Sequence, residues 1–196
     1  MSRVVKVLAA AGLVLATTAA QAQERNVQIQ FLGGGYSHTA NLSKTGADAH
    51  FKQGFNLETA VGVMASKYVG VHADFTFART KGLGNVDFAG KKVDRFFYGG
   101  HVELRYPVNE SVAPFVFGGA GAVTIDQQGP TADDAFGRFT KPAAMFGAGM
   151  AMALPNAPVD VLLQGKALTY KWEAAGFNRQ QWDVTYSIGF AYRFGF

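Results

Sequence analysis

Cysteine is absent from the 196 residues. That excludes thiolate nucleophiles, cysteine-held metals and disulfide frameworks. Long apolar runs are missing beyond the first twenty residues. No later stretch approaches the roughly 18 uninterrupted apolar residues of a membrane-crossing helix. Helical periodicity is missing too, since none survives for ten residues after the amino-terminal segment. There is no Ser/Pro-rich linker, low-complexity tract or repeat longer than a hairpin, so one domain is expected. Charge of one sign is scarce. The net charge is +4 over the whole chain and nearer +2 once Arg3 and Lys6 are removed with the leader described below, which argues against a nucleic-acid partner.

The amino terminus reads as an export signal, residues 1–22. Arg3 and Lys6 form a short positive region, Val7 to Ala20 is apolar or small, and Ala20-Gln21-Ala22 is an A-x-A cleavage site. Its apolar part falls short of the ~20 residues that a helix needs to cross a bilayer. The mature domain is expected over residues 23–196.

Glycine (24) and phenylalanine (17) are abundant, which suits many closely packed strands. Period-two alternation marks eight segments: Asn26 to Tyr36, Lys52 to Ala65, Tyr68 to Thr80, Lys92 to Tyr106, Val112 to Ile125, Thr140 to Leu154, Val159 to Trp172, and Trp182 to Phe196. In the last, every second residue is large and apolar, and six of those eight are aromatic. In the fifth, Ala113, Phe115 and Phe117 are the expected apolar face. The sixth is apolar on both faces and cannot be oriented.

The connections alternate in length. Ser66-Lys67, Pro107 to Ser111 and Pro155 to Pro158 are short and turn-rich. Ser37 to Phe51, Lys81 to Lys91, Asp126 to Phe139 and Glu173 to Gln181 are expected as longer polar loops. Short turns on one side and long loops on the other, over an even number of strands, is the layout of a transmembrane barrel. Each segment has the ~9–11 residues that a tilted membrane strand requires.

The carboxy-terminal strand, with Phe190, Tyr192, Phe194 and Phe196 on one face, resembles the assembly signal of bacterial outer-membrane barrels. Val112 to Ala122, VAPFVFGGAGA, resembles the Pro-x-x-x-Gly-Gly-x-Gly strand of the same group. With the signal, the strands and the connections, the whole mature chain is similar to the small outer-membrane β-barrel superfamily, of the OmpA transmembrane-domain, OmpX and OmpW type. The resemblance implies an all-β, eight-stranded antiparallel up-and-down barrel in the bacterial outer membrane. It further implies both termini in the periplasm, lipid and lipopolysaccharide as surroundings, the barrel-assembly machinery as a biogenesis partner, and a monomer. No peptidoglycan-binding domain is read after Phe196, so an OmpA-like wall-anchoring role is not expected.

A membrane sheet must close to satisfy its backbone. Eight strands enclose little more than side chains. The apolar set should then face lipid and the polar set the lumen. The expected lumen network is Glu58, Asp74, Arg95, His101, Glu103, Arg105, Asp160, Lys166 and Arg193. Buried charges are tolerable when paired, and the near-balanced signs permit it. A soluble ligand-binding barrel would show the opposite faces. Aromatic belts at the two interfaces are expected from Trp172 and Trp182 at the loop end and from Tyr106, Phe115, Phe194 and Phe196 at the turn end.

Chemistry is weakly signalled. Gly33-Gly34-Gly35 and Gly118-Gly119-Ala120-Gly121 lack the Lys-Ser/Thr and the helix of a phosphate loop. Ser37-His38 and His50 suggest a hydrolytic pair, but no carboxylate is evident beside either, and strand neighbours point to opposite faces. His72 and His101 are assigned to the lumen network, and no metal, cofactor or catalytic residue is expected. The long loops, Asn41 to Asp48 and Asp126 to Asp134, are the remaining surface for a ligand. The expected role is structural or surface-interacting. A narrow channel is the alternative, and a lipid A-modifying enzyme the second.

Overall fold

The computed structural model describes residues 26–39, 49–84, 89–128, 137–174 and 177–195. The signal segment, Phe196 and most of the Asn41 to Asp48 and Asp126 to Asp134 loops lie outside them. Nine strands are present among the described residues: β1 (Asn26–His38), β2 (Ala49–Phe51), β3 (Gly54–Met64), β4 (Val69–Gly84), β5 (Lys92–Arg105), β6 (Val112–Gln128), β7 (Arg138–Ala153), β8 (Val159–Ala174) and β9 (Phe177–Gly195). Eight are long and close into an antiparallel barrel. The ninth, β2, is a three-residue addition on β4 at the loop end.

Closure falls on β1 and β9, which pair from Asn26↔Gly195 to His38↔Asp183. Among the described residues no long strand is left with an open edge, which a bilayer requires because it offers no water to unpaired N–H and C=O groups. At one end, the turn end, lie Asn26, Gly195 and the tight turns after β3, β5 and β7. The β7–β8 turn holds Asn156 at φ 60°, a left-handed conformation that asparagine tolerates.

Alternation is inverted relative to a water-soluble barrel. Buried positions include Gln28, Glu58, Asp74, Arg95, Lys166 and Asp183, while Phe31, Leu57, Phe75, Leu104, Ile188 and Phe190 are exposed. So continuous an apolar exterior needs an apolar solvent. On β9 the outward apolar run from Trp182 to Phe194 covers about 30 Å of barrel height, at ~3.3 Å per residue and a tilt of roughly 40°. That matches the ~30 Å hydrocarbon thickness of a bilayer.

Three expectations change. First, Phe115 and Phe117 point inward, not to lipid or to a belt; both are buried. Each ring lies over a glycine of β7: a Cβ on Gly147 would come within 2.4 Å of Phe117 Cζ, and one on Gly149 within 2.4 Å of Phe115 Cζ. The glycines open the volume that the rings fill. This pairing also orients β7, placing Ala143, Met145, Gly147, Gly149 and Ala151 inside and Phe146 and Met150 outside. Second, of the expected loop Glu173 to Gln181, residues 173–174 and 177–181 are strand and the two between lie outside the described residues. β8 and β9 continue as a paired ribbon to Ala174↔Phe177. Third, Trp172 is fully buried. It belongs to the interior, because it shares even parity on β8 with Asp160, Lys166 and Tyr170.

The lumen is therefore layered. Toward the loop end an apolar cluster holds Phe51, Val93, Phe97, Ile125, Met145, Leu168, Tyr170 and Trp172. Toward the turn end a second holds Leu32, Phe115, Phe117, Ala151, Leu162 and Ala191. Charged and amide side chains occupy the space between and beside them.

Candidate functional site: the lumen charge network

The centre is Lys166 on β8. Its Nζ lies 2.5 Å from Glu58 Oε2 and 3.2 Å from Asp74 Oδ1, and donates to Thr76 Oγ1 at 2.6 Å. Glu58 is saturated. Its Oε1 accepts from Asn56 Nδ2 at 2.6 Å, Ser187 Oγ at 2.5 Å and Thr185 Oγ1 at 3.1 Å, while Oε2 accepts from Gln164 Nε2 at 2.9 Å. Residues from β3, β8 and β9 thus converge on one carboxylate across the barrel, while Asp74 and Thr76 of β4 meet Lys166. A buried ion pair is stable only when such hydrogen bonds replace lost water.

Toward the turn end, Arg105 Nη2 lies 2.7 Å from Glu103 Oε1, and its Nη1 lies 3.5 Å from Asp160 Oδ2. Arg193 Nη2 reaches the other oxygen of Asp160 at 3.3 Å. These groups border a cavity of about 350 Å³ that opens among Asn26, Met64, Arg105 and Asp160.

Toward the loop end, Arg95 Nε stands 3.5 Å from Asp183 Oδ2 and its guanidinium lies 4.2 Å from the Phe51 ring centroid. Tyr170 donates to Asp183 Oδ2 at 3.0 Å, and His38 Nδ1 lies 2.5 Å from Asp183 Oδ1. A carboxylate therefore does stand beside His38, contrary to the sequence reading. His38 Nε2 meets no hydrogen-bond partner among the described residues. Phe51 packs on Trp172 at 5.8 Å and Phe139 on its other side at 5.1 Å, so aromatic rings close this end over Arg95.

All nine residues assigned to the lumen from sequence lie on inward positions. They form three groups rather than one: Glu58, Asp74 and Lys166 with His101 beside them; Glu103, Arg105, Asp160 and Arg193; and Arg95 with Asp183. His101 stacks on His72 with ring centroids 4.9 Å apart and 15° between planes, and its Nδ1 is 3.7 Å from Asp74 Oδ2. The network also takes in Asp183, His38, Asn56 and Gln164, which the nine did not include. Parity on β1 and β9 was the available signal for His38 and Asp183. Their contact depends on the seam register, which no local pattern encodes.

Of the belt residues, Tyr106, Trp182 and Phe194 are exposed at 72%, 40% and 40%. Trp172 is not among them. Phe190 and Tyr192 of the carboxy-terminal signal face outward, and Phe196 lies outside the described residues. Above Trp182, a surface cluster joins Glu173 to Lys141 at 2.9 Å and to Lys171.

Fold comparison finds similar solved structures. Neisserial surface protein A aligns over 87% of this chain and 97% of its own, at TM-score 0.60 and 12% identity. OprG from Pseudomonas aeruginosa covers 89% and 97%, at 0.53 and 14%. A major outer membrane protein from Thermus thermophilus covers 87% and 99%, at 0.52 and 15%. Comparison of the sequence with curated proteins found no match. The model of the outer membrane protein beta-barrel domain matches residues 7–196, so the chain belongs to that outer-membrane family.

Proposed function

We propose that the protein is a non-enzymatic, monomeric barrel with a structural or surface-interaction role in the Gram-negative-type envelope. The turn end and both termini face the periplasm, and the loop end faces outward among lipopolysaccharide. Phe196 and the outward aromatics of β9 serve recognition by the barrel-assembly machinery. One observation carries the reading: Lys166, Glu58 and Asp74 are buried in the lumen and paired with one another, so function falls to the outer surface and loops. The basic Lys141 and Lys171 beside Glu173 suit contact with the acidic saccharide region of lipopolysaccharide.

Conductance in planar bilayers tests this. The barrel is expected to stay electrically silent. Openings altered by Lys166→Met or Glu58→Gln would establish the narrow channel instead. The lipid-modifying alternative is disfavoured because, among the described residues, no serine hydroxyl meets His38 or Asp183: Ser37 is next to His38 on β1 and points to the opposite face. Lipid A of unchanged mass in cells with and without the protein is the expected result.

A further inference from the structure

We propose that the turn-end half of the lumen holds a transition-metal site of the zinc–copper class, built from His72, His101 and Glu103. One ligand atom from each lies within 4.8 Å of the others, and all three side chains are buried. The residues come from facing positions: His72 pairs with His101 across β4 and β5, and Glu103 is the next inward residue on β5. Ligands held at ~2 Å from a tetrahedral ion stand roughly 3.4 Å apart, so small rotamer changes bring this set onto one ion.

Two further observations point to a ligand. His72 is 2% exposed, yet neither of its ring nitrogens meets a hydrogen-bond partner among the described residues. A buried imidazole ordinarily satisfies both. The ring is held in place: Cβ atoms on Gly62 and Gly70 would come within 2.3 Å and 2.7 Å of His72 nitrogens. Second, Asp74 Oδ2 lies 3.7 Å from His101 Nδ1. That is beyond hydrogen-bond reach, and His101 Nδ1 meets no hydrogen-bond partner among the described residues, so a second buried imidazole stands with an unsatisfied nitrogen beside His72.

Among the described residues the main cation facing Glu58 and Asp74 is Lys166, one charge against two, whereas Glu103 and Asp160 are matched by Arg105 and Arg193. A path also exists. Met64 lines the turn-end cavity, and its Sδ would lie 2.5 Å from a Gly70 Cβ, beside His72 Nε2. The thioether is a soft donor on the route inward. Imidazole with carboxylate selects zinc or copper over magnesium or calcium.

The test is calorimetric titration of the full barrel in detergent with Zn2+, Cu2+ and Mg2+, with nitrogen hyperfine structure of bound Cu2+ read by electron paramagnetic resonance. The expected result is one Zn2+ or Cu2+ per barrel, a two-nitrogen Cu2+ signal and no Mg2+ binding. His72→Gln and His101→Gln should each weaken binding at least 100-fold. Heat-modifiable gel mobility shows whether each variant is folded. Met64→Leu, with no ligand charge or hydrogen bond changed, provides a variant that folds, and it should slow metal uptake. Absence of stoichiometric binding, or affinity unchanged in folded His72→Gln/His101→Gln barrel, overturns the proposal.

Discussion

Lys166 Nζ and Glu58 Oε2 meet at 2.5 Å with both side chains shut off from solvent, 0% and 1% exposed. The pair ties β8 to β3 through the middle of the barrel. It is the point where charge and fold come together.

Breaking that pair from one side should be costly. Lys166→Met leaves Glu58 and Asp74 buried with no cation, and Glu58→Gln leaves Lys166 with Asp74 alone. Each should destabilise the barrel by about 3–5 kcal/mol. The double variant should lose clearly less than the two single losses added together, because the two charges leave together. Reversible urea unfolding in lipid vesicles measures all three; additive losses would mean that the pair is not coupled.

The seat of Phe117 on Gly147 makes a second prediction. A methyl at position 147 meets Phe117 Cζ at 2.4 Å and Gly165 O at 2.3 Å. Gly147→Ala should therefore cost about 1–3 kcal/mol. Phe117→Leu in the same chain should recover part of it, the remainder coming from the backbone contact. Full tolerance of Gly147→Ala in the same unfolding assay would contradict an inward Phe117.

Two tryptophans at opposite faces can be told apart optically. Trp182 is 40% exposed on the outward face and Trp172 is 0% exposed inside. In vesicles of brominated lipid, Trp172→Phe should leave the quenched emission and Trp182→Phe should remove it. Equal quenching in the two variants would place Trp172 in the belt after all.

Glu173 supplies a pH test above the lipid band, four residues beyond Thr169, the strand partner of Trp182. Hydrogen bonds from Lys141 and then Lys171 hold its carboxyl down at about 2, below its ordinary 4.5. A depressed folded value means that the cluster's contribution is complete above the unfolded value and is lost as pH falls through the folded one. The cluster should stay intact at pH 4 and come apart near pH 2. Carboxyl NMR of wild-type barrel should show this, and a Glu173 titration at its ordinary 4.5 would refute it.

Much of the barrel is readable without coordinates. Period-two alternation on β1, β3, β4, β5 and β9 assigns inward and outward faces because successive Cβ atoms project oppositely, whatever the neighbours. Arg193 of β9 is expected inside on that ground, and the seam register brings the buried Gln28 of β1 opposite it. The turns at Ser66-Lys67 and Pro155 to Pro158 follow from local turn chemistry. The inversion of faces follows from where aromatic residues alternate with charged ones.

What the sequence could not decide are relations across strands. On β6 and β7 both faces are apolar, so alternation leaves two choices. Phe115 and Phe117 turn inward because Gly147 and Gly149, on the neighbouring strand, leave room opposite them. His38 and Asp183 stand 145 positions apart in the chain and meet only because the barrel closes in one register. A strand's parity is a property of its own backbone, while register and free volume belong to two strands at once. The sequence by itself therefore determined strands, membrane face and outer-membrane class. Only the tertiary structure decided which charges pair, what plugs the lumen and where two histidines stack.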